Sequence, residues 1–247
     1  MIPSEYRQRF YREWTQKGDL DSFGMLLHET DLQVYFSSAV EKTALAKRTY
    51  ALIEKFHTQI RNTIRSFPEF FTSLDPLHVK SDYKITEEMI LESRRAGVGP
   101  MAGVAGAIAE YVGRDLVGLT DELIIENGGD IFLKSKTDRN VLVYAGEDSP
   151  FRDKIRIKLH GGGSPRGICA SSGKIGHSIS HGNTDATIVI ADSAIAADVF
   201  ATAAGNMVKS KSDIQSALRF LGEQAGIAGA LVLIGEKIAV WGDVELV

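Results

Sequence analysis

A chain of 247 residues with 44% hydrophobic and 24% charged side chains has globular composition and length enough for one domain with a sizeable core, so we read residues 1–247 as a single domain. A formal net charge of -4 speaks against a general affinity for nucleic acid or an anionic membrane, and a lone cysteine, Cys169, excludes an intrachain disulfide. The opening MIPSEYRQRFYREW is polar, without a signal-peptide core or lipobox cysteine, and no run of about 18 apolar residues follows, so a soluble cytoplasmic protein without a membrane partner is expected.

Glu5–Gln16 reads as a short, locally basic helix or arm. Phe23–His28 and Leu32–Ser37 alternate like strands, and a hairpin through Glu29, Thr30 and Asp31 is plausible although no Asn-Gly or Asp-Gly turn specifies it. From about Ala39 to Ser66, Leu45, Ala46, Tyr50, Ile53, Phe56, Ile60 and Ile64 recur at helical steps, and Pro68 ends the run. A second helix is expected to start at Thr86 as N-cap and to stop at Gly97. The stretch GVGPMAGVAGAIAEYVG favours a helix with one side made nearly flat by Gly99, Gly103, Gly106 and Ala107. Strands are then expected at Leu123–Glu126, Ile131–Lys134, Val141–Ala145, Lys154–Leu159, Gly167–Ser172 and Ala186–Ala191. Helices at Ser193–Val208 and Ser212–Ala225 precede two closing strands, Ala230–Ile234 and Lys237–Trp241. Helices early, strands in the middle and a mixed end argue for an α+β fold, a mostly antiparallel sheet flanked by helices. Two Gly-rich segments near helices hint at a duplication, but no sequence period establishes one.

Four stretches carry chemistry. In the helix after Ser193, an N-cap, Asp198, Thr202 and Asn206 stand four residues apart among Ala, Val and Phe. A buried carboxylate needs a partner, and Asp and Thr oxygens suit a hard divalent cation. The plain alternative is an Asp at the helix rim, with Thr202 bonding its own backbone. In ENGGD, the Asn127–Asp130 tetrad is either a simple hairpin turn or a backbone cradle, with Gly128 and Gly129 exposing N–H groups and Asn127 and Asp130 reaching a ribose or base. GVGPMAGVAG is not a dinucleotide-binding Rossmann turn, because Pro100 intrudes and the preceding segment reads as helical; it is either a Gly-rich helix start beneath a phosphate or close helix packing through small residues. SSGKIGHSISHG offers Ser171, Ser172, Lys174, His177, Ser180 and His181 without any zinc or nucleophile-elbow signature. It reads as a loop over a ligand or as an inert exposed loop, and Cys169 before it reads as a small core residue.

In their order, GAIAEYV, ENGGDIFL and CASSG…HS…DATIVIADSAIAADVFATAAGN resemble the ApbE superfamily of flavin transferases, over about Gly99 to Asn206. The resemblance implies a T-fold-like α+β fold, with FAD and magnesium as ligands and transfer of FMN to a Thr or Ser of an acceptor protein, whose identity it leaves open. By position, it implies that Asp198, Thr202 and the carbonyl of Ala107 hold the metal. It implies that Gly106, Asn127, Gly128, Gly129, Asp130, Ser171, Ser172 and Gly173 line the nucleotide, and that His177 serves as the base. The family's Gly-Gly-Asn turn has Asp130 in place of Asn, and the lysine of its Gly-Ala-Ile-Ala-Lys segment is Glu110 here, a reversed charge expected near the phosphates. The Asp-Pro that follows the family's histidine is missing. FAD pyrophosphatase activity, a flavin- or nucleotide-binding module without chemistry, and a protein-interaction scaffold are the other readings. By analogy with T-fold-like assemblies, a homodimer through sheet edges is expected.

Overall fold

The computed structural model describes residues 20–146, 149–152, 154–173 and 182–247. The expected arm Glu5–Gln16, and with it Lys174, His177, Ser180 and His181, lie outside the described residues. In chain order the elements are β1 (Leu20–Leu27), β2 (Thr30–Ser37), α1 (Lys42–Ser66), α2 (Glu69–Thr72), α3 (Lys84–Ala96), α4 (Val104–Leu116), β3 (Leu123–Asn127), β4 (Asp130–Lys134), β5 (Arg139–Leu142) and β6 (Arg156–Leu159). They continue with β7 (Arg166–Ser171), β8 (Ala186–Ala191), α5 (Ala194–Met207), α6 (Ile214–Gly222), β9 (Ile227–Ile234), β10 (Lys237–Gly242) and β11 (Glu245–Leu246).

Eight strands form one sheet in the order β1-β2-β3-β4-β7-β8-β9-β10, and a small sheet β11-β6-β5 stands apart from it. Every ladder between neighbouring strands is antiparallel. The α+β expectation therefore holds. Alternation along the strands divides the core in two. Leu32, Val34, Ile125, Phe132, Cys169, Val189 and Val232 face the helices, while Leu133, Ile168, Ile188, Ile190, Leu231 and Leu233 face the small sheet. The strands β1–β4 and β7–β10 each lie in chain order with helices inserted between the second and third strand. The duplication that no sequence period reveals is thus a repeat of topology.

Local chemistry explains the element ends. Glu41 caps α1 by accepting the N–H groups of Thr43 and Ala44, and Phe67 closes it before Pro68. Ser193 caps α5 through the Ala196 N–H at 3.1 Å, as expected. Gly97 ends α3 in the left-handed region, φ 75°. Thr86 is not the cap of α3, which starts at Lys84; its hydroxyl is buried against Thr63 and Ser81, where internal hydrogen bonding is worth more than capping an exposed turn. Tyr50 is half exposed, because the inward stripe of α1 runs through Thr49, Leu52, Ile53, Phe56 and His57 instead. The first strand begins at Leu20 rather than Phe23, and its turn with β2 is a two-residue one at His28 and Glu29, with His28 at φ 54°. The Gly-rich stretch enters α4 through one 3₁₀ turn, Pro100–Gly103, with proline at its first position. Among the described residues no helix is long and apolar enough to cross a membrane.

Candidate functional site

The register brings three chain segments to one end of the large sheet. Asn127 ends β3 and Asp130 opens β4, on either side of the Gly128-Gly129 turn. Both glycines have positive φ, 72° and 105°, as a two-residue hairpin with right-handed strand twist requires. The tetrad is therefore a hairpin turn in its backbone, and Gly129 N–H is already donated to Glu126 Oε1 at 2.8 Å. Asn127 donates to the Ala105 carbonyl at 3.0 Å and so ties the turn to the start of α4. Ser171 ends β7, and Ala170 N–H donates to Asp130 Oδ1 at 3.3 Å.

Above these strands lies α5, buried on all sides from Ala194 to Gly205. Such a helix has no polar face, so the rim position weighed for Asp198 does not exist. Asp198 and Thr202 are 7% and 6% exposed. Asp198 Oδ2 accepts the Gly106 N–H of α4 at 2.8 Å, and Asp130 lies close enough for its charge to act on Asp198. Burial pushes the Asp198 carboxyl well above the usual carboxylate range; the Asp130 charge adds to the rise and the Gly106 N–H opposes it. Among the described residues no cation pairs with Asp198.

The family resemblance implied that Asp198, Thr202, Gly106, Ala107, Asn127, Gly128, Gly129, Asp130, Ser171, Ser172 and Gly173 belong together. The structure joins Asp198 directly to Gly106, and Asn127 to the residue before Gly106. Ala107 follows, fully buried in α4. Ser172 and Gly173 both bond the carbonyl of Thr184 across the base of the loop. Ser171 Oγ is buried without a hydrogen-bond partner among the described residues. His177 lies outside the described residues.

The donor set fits a hard cation. Asp198, Asp130, Thr202 and Ser171 carry only oxygen donors, and the Ser171 hydroxyl has no hydrogen-bond partner among the described residues. Among the described residues no group of three or more His, Cys, Asp or Glu side chains could hold a metal, so a site here depends on hydroxyl and carbonyl oxygens beside the acids. Among the described residues the set lacks the Cys and His ligands that zinc prefers.

Glu110, noted in the sequence only as an acid in place of the resembling family's lysine, has a packing role that the resemblance does not signal. It is 3% exposed, and it accepts the Ala194 N–H at 2.7 Å and Arg114 Nε at 2.8 Å. Burial raises its carboxyl above the usual range, and the Ala194 N–H and Arg114 pull against that rise. Gly167 and Gly106 are the local signals of this packing, because a Cβ on either would run into Ala194.

Cys169 is fully buried, and its thiol donates to the Ala194 carbonyl at 3.3 Å. Burial first, and then the charges of Asp130 and Asp198, push that thiol well above its ordinary range. The native protein is therefore expected to be inert to a chromogenic disulfide reagent and to release one equivalent of chromophore only in guanidinium, since it holds a single cysteine. Rapid native labelling would contradict the packing of β7 against α5.

Comparison with known proteins places these features in a wider set. Residues 12–230 match the family described as AbpE bacteria. The UPF0280 protein of Methanococcus aeolicus is 39% identical over 198 residues, 78% of either chain. The UPF0280 protein of Methanocaldococcus jannaschii is 34% identical over 241 residues, 95% of this chain and 93% of that one. In fold, the chain is similar to the apo flavinyl transferase ApbE of Pseudomonas stutzeri, with a TM-score of 0.62 at 15% identity, covering 90% of this chain and 94% of that one. It is also similar to the flavin transferase ApbE of Vibrio cholerae, with a TM-score of 0.57 at 14% identity, covering 91% and 97%.

Proposed function

Because this chain belongs to the AbpE bacteria family, we propose that it binds FAD together with magnesium at the Asp198 cleft and transfers the FMN part to a hydroxyl of an acceptor protein. The observation that carries this reading is the carboxylate pair itself. Asp198 is buried beside a second acid, Asp130, with no cation of the chain to offset it among the described residues. Burying two neighbouring carboxylates costs several kcal/mol unless something neutralises them. Asp198, Thr202 and the Ala107 carbonyl would hold the ion, with Asp130 adding charge beside them. The fold shared with the two flavin transferases supports the flavin as the nucleotide.

A magnesium ion so held would neutralise charge on the pyrophosphate and on the departing AMP. The chain's own part is positional. Asn127 keeps the glycine turn against α4, Asp130 is tied to Ala170 beside Ser171, and Ser171, Ser172 and Gly173 would complete the lining of the nucleotide. Gly106 orients the Asp198 carboxylate. In the transfer the acceptor oxygen bonds to the FMN phosphorus, the pyrophosphate bond breaks, and AMP leaves with its electron pair. The hydroxyl proton passes to a base, for which His177 is the proposed group.

Glu110 favours a second reading. It is an acid where the resembling family has lysine, so this position offers a phosphate no positive charge, and its carboxylate is committed to Ala194 and Arg114. A flavin- or nucleotide-binding module without transfer chemistry is consistent with that. Incubation with FAD and magnesium separates the readings. Release of AMP with flavin bound covalently to protein supports the transferase, and AMP with free FMN supports a pyrophosphatase. Flavin that co-purifies without AMP release supports the module. If no flavin binds and no AMP forms, the flavin reading is wrong.

A further inference from the structure

Helices α4 and α5 run antiparallel and exchange two matching contacts. Gly106 N–H of α4 donates to the Asp198 carboxylate of α5 at 2.8 Å, and Ala194 N–H of α5 donates to the Glu110 carboxylate of α4 at 2.7 Å. On each helix the donor stands in the first turn and the carboxylate stands one turn later. First-turn N–H groups have no partner within their own helix, and the helix dipole favours a carboxylate there. Each helix thus satisfies the open start of the other.

The two carboxylates differ in one respect. Glu110 has a guanidinium, because Arg114 Nε lies 2.8 Å from it while Arg114 Nη1 reaches Glu88 at 2.8 Å. Asp198 has Asp130 beside it instead. The Glu110 arm of the clamp has its cation, whereas among the described residues the Asp198 arm has none and is open to an added one. A Cβ at Gly106 would meet Ala194 and Asp198, so both arms share one packed contact.

We infer that Glu110 is a positioning residue for the cation site. It fixes the first turn of α5, and through that turn it sets where the Asp198 carboxylate is presented one turn on. The inference rests on the cation reading of Asp198 given above. It also assigns a role to the acid that stands where the resembling family has lysine.

The test is Mn²⁺ affinity of the intact protein, measured by electron paramagnetic resonance well below the unfolding temperature. Supporting groups around a metal site typically contribute 10–100-fold in affinity, so Glu110→Leu, which keeps the bulk and removes the acceptor, is expected to weaken Mn²⁺ binding by about that factor. Glu110→Gln retains an oxygen for the Ala194 N–H and is expected to recover most of the loss. Glu88→Gln touches the same arginine at its exposed end and is expected to leave affinity unchanged. If the leucine variant does not fold, Glu110→Ala, which removes the same acceptor, is read in its place. Parental affinity in the Leu or Ala variant overturns the inference, as does an equal loss in Glu110→Leu and Glu88→Gln. If the parent protein itself binds no Mn²⁺, the cation reading of Asp198 fails, and the role of Glu110 falls with it.

Discussion

Asp198→Asn is expected to abolish divalent-cation binding and to cut AMP release from FAD at least about 100-fold, while the metal-free protein unfolds at the parental temperature or above it. The asparagine oxygen still accepts the Gly106 N–H, so the contact between α4 and α5 stays in place. What the change removes is charge. In the parent, a carboxylate is buried between α5 and α4 with Asp130 beside it, which burial and like charge both disfavour. Without metal that arrangement is a liability, and losing it is neutral or stabilising. With metal it is the source of affinity. Loss of a metal's stabilisation of several kcal/mol in the transition state corresponds to two or more decades in rate. Calorimetry with and without Mg²⁺ reads both effects: the parent gains unfolding temperature with the ion and the variant does not. A variant that loses stability and keeps its response to the ion would mean that Asp198 is structural and that the cation sits elsewhere.

Gly106→Ala carries the second large effect, and here the sign decides. In an ordinary helix, alanine is favoured over glycine by about 1 kcal/mol. At Gly106 the added Cβ would run into the Ala194 carbonyl and lie 2.8 Å from the Asp198 Cβ. The first obstacle is backbone, which cannot rotate away. Overpacking of this kind costs about 1–3 kcal/mol, which outweighs the helix gain and lowers the unfolding temperature by several degrees. The same displacement shifts Asp198, so cation affinity falls with stability. Gly118, with nothing within 4 Å of a Cβ, is the control: Gly118→Ala is expected to leave both unchanged. An increase in stability for Gly106→Ala would show that α4 and α5 do not pack as described.

The sheet was legible because strand alternation is a local signal. The cores of β3, β4, β7, β8, β9 and β10 all lie where the apolar runs predict them. The Asp198–Thr202 stripe was legible as an anomaly of composition, but its burial was not, since an Ala-rich helix packs on several sides without an amphipathic period. The packing of Glu110 was hidden for a related reason. The resemblance set it near the phosphates as a reversed charge, whereas the partner that fixes it, Ala194, is 84 residues away in sequence. Thr86 was misread because a threonine ahead of two acids looks like a cap, whereas a buried trio of hydroxyls from two helices and a loop leaves no local pattern. β11, two residues long, is set only by its pairing with β6.

Crystals grown with FAD and Mn²⁺, with diffraction collected at the manganese absorption edge, test the central claim most directly. An anomalous peak within coordination distance of the Asp198 carboxylate and the Thr202 hydroxyl, with flavin phosphates against it, is the predicted result. A peak at any other group of residues, or flavin bound away from Asp198 with no manganese at that carboxylate, would contradict it.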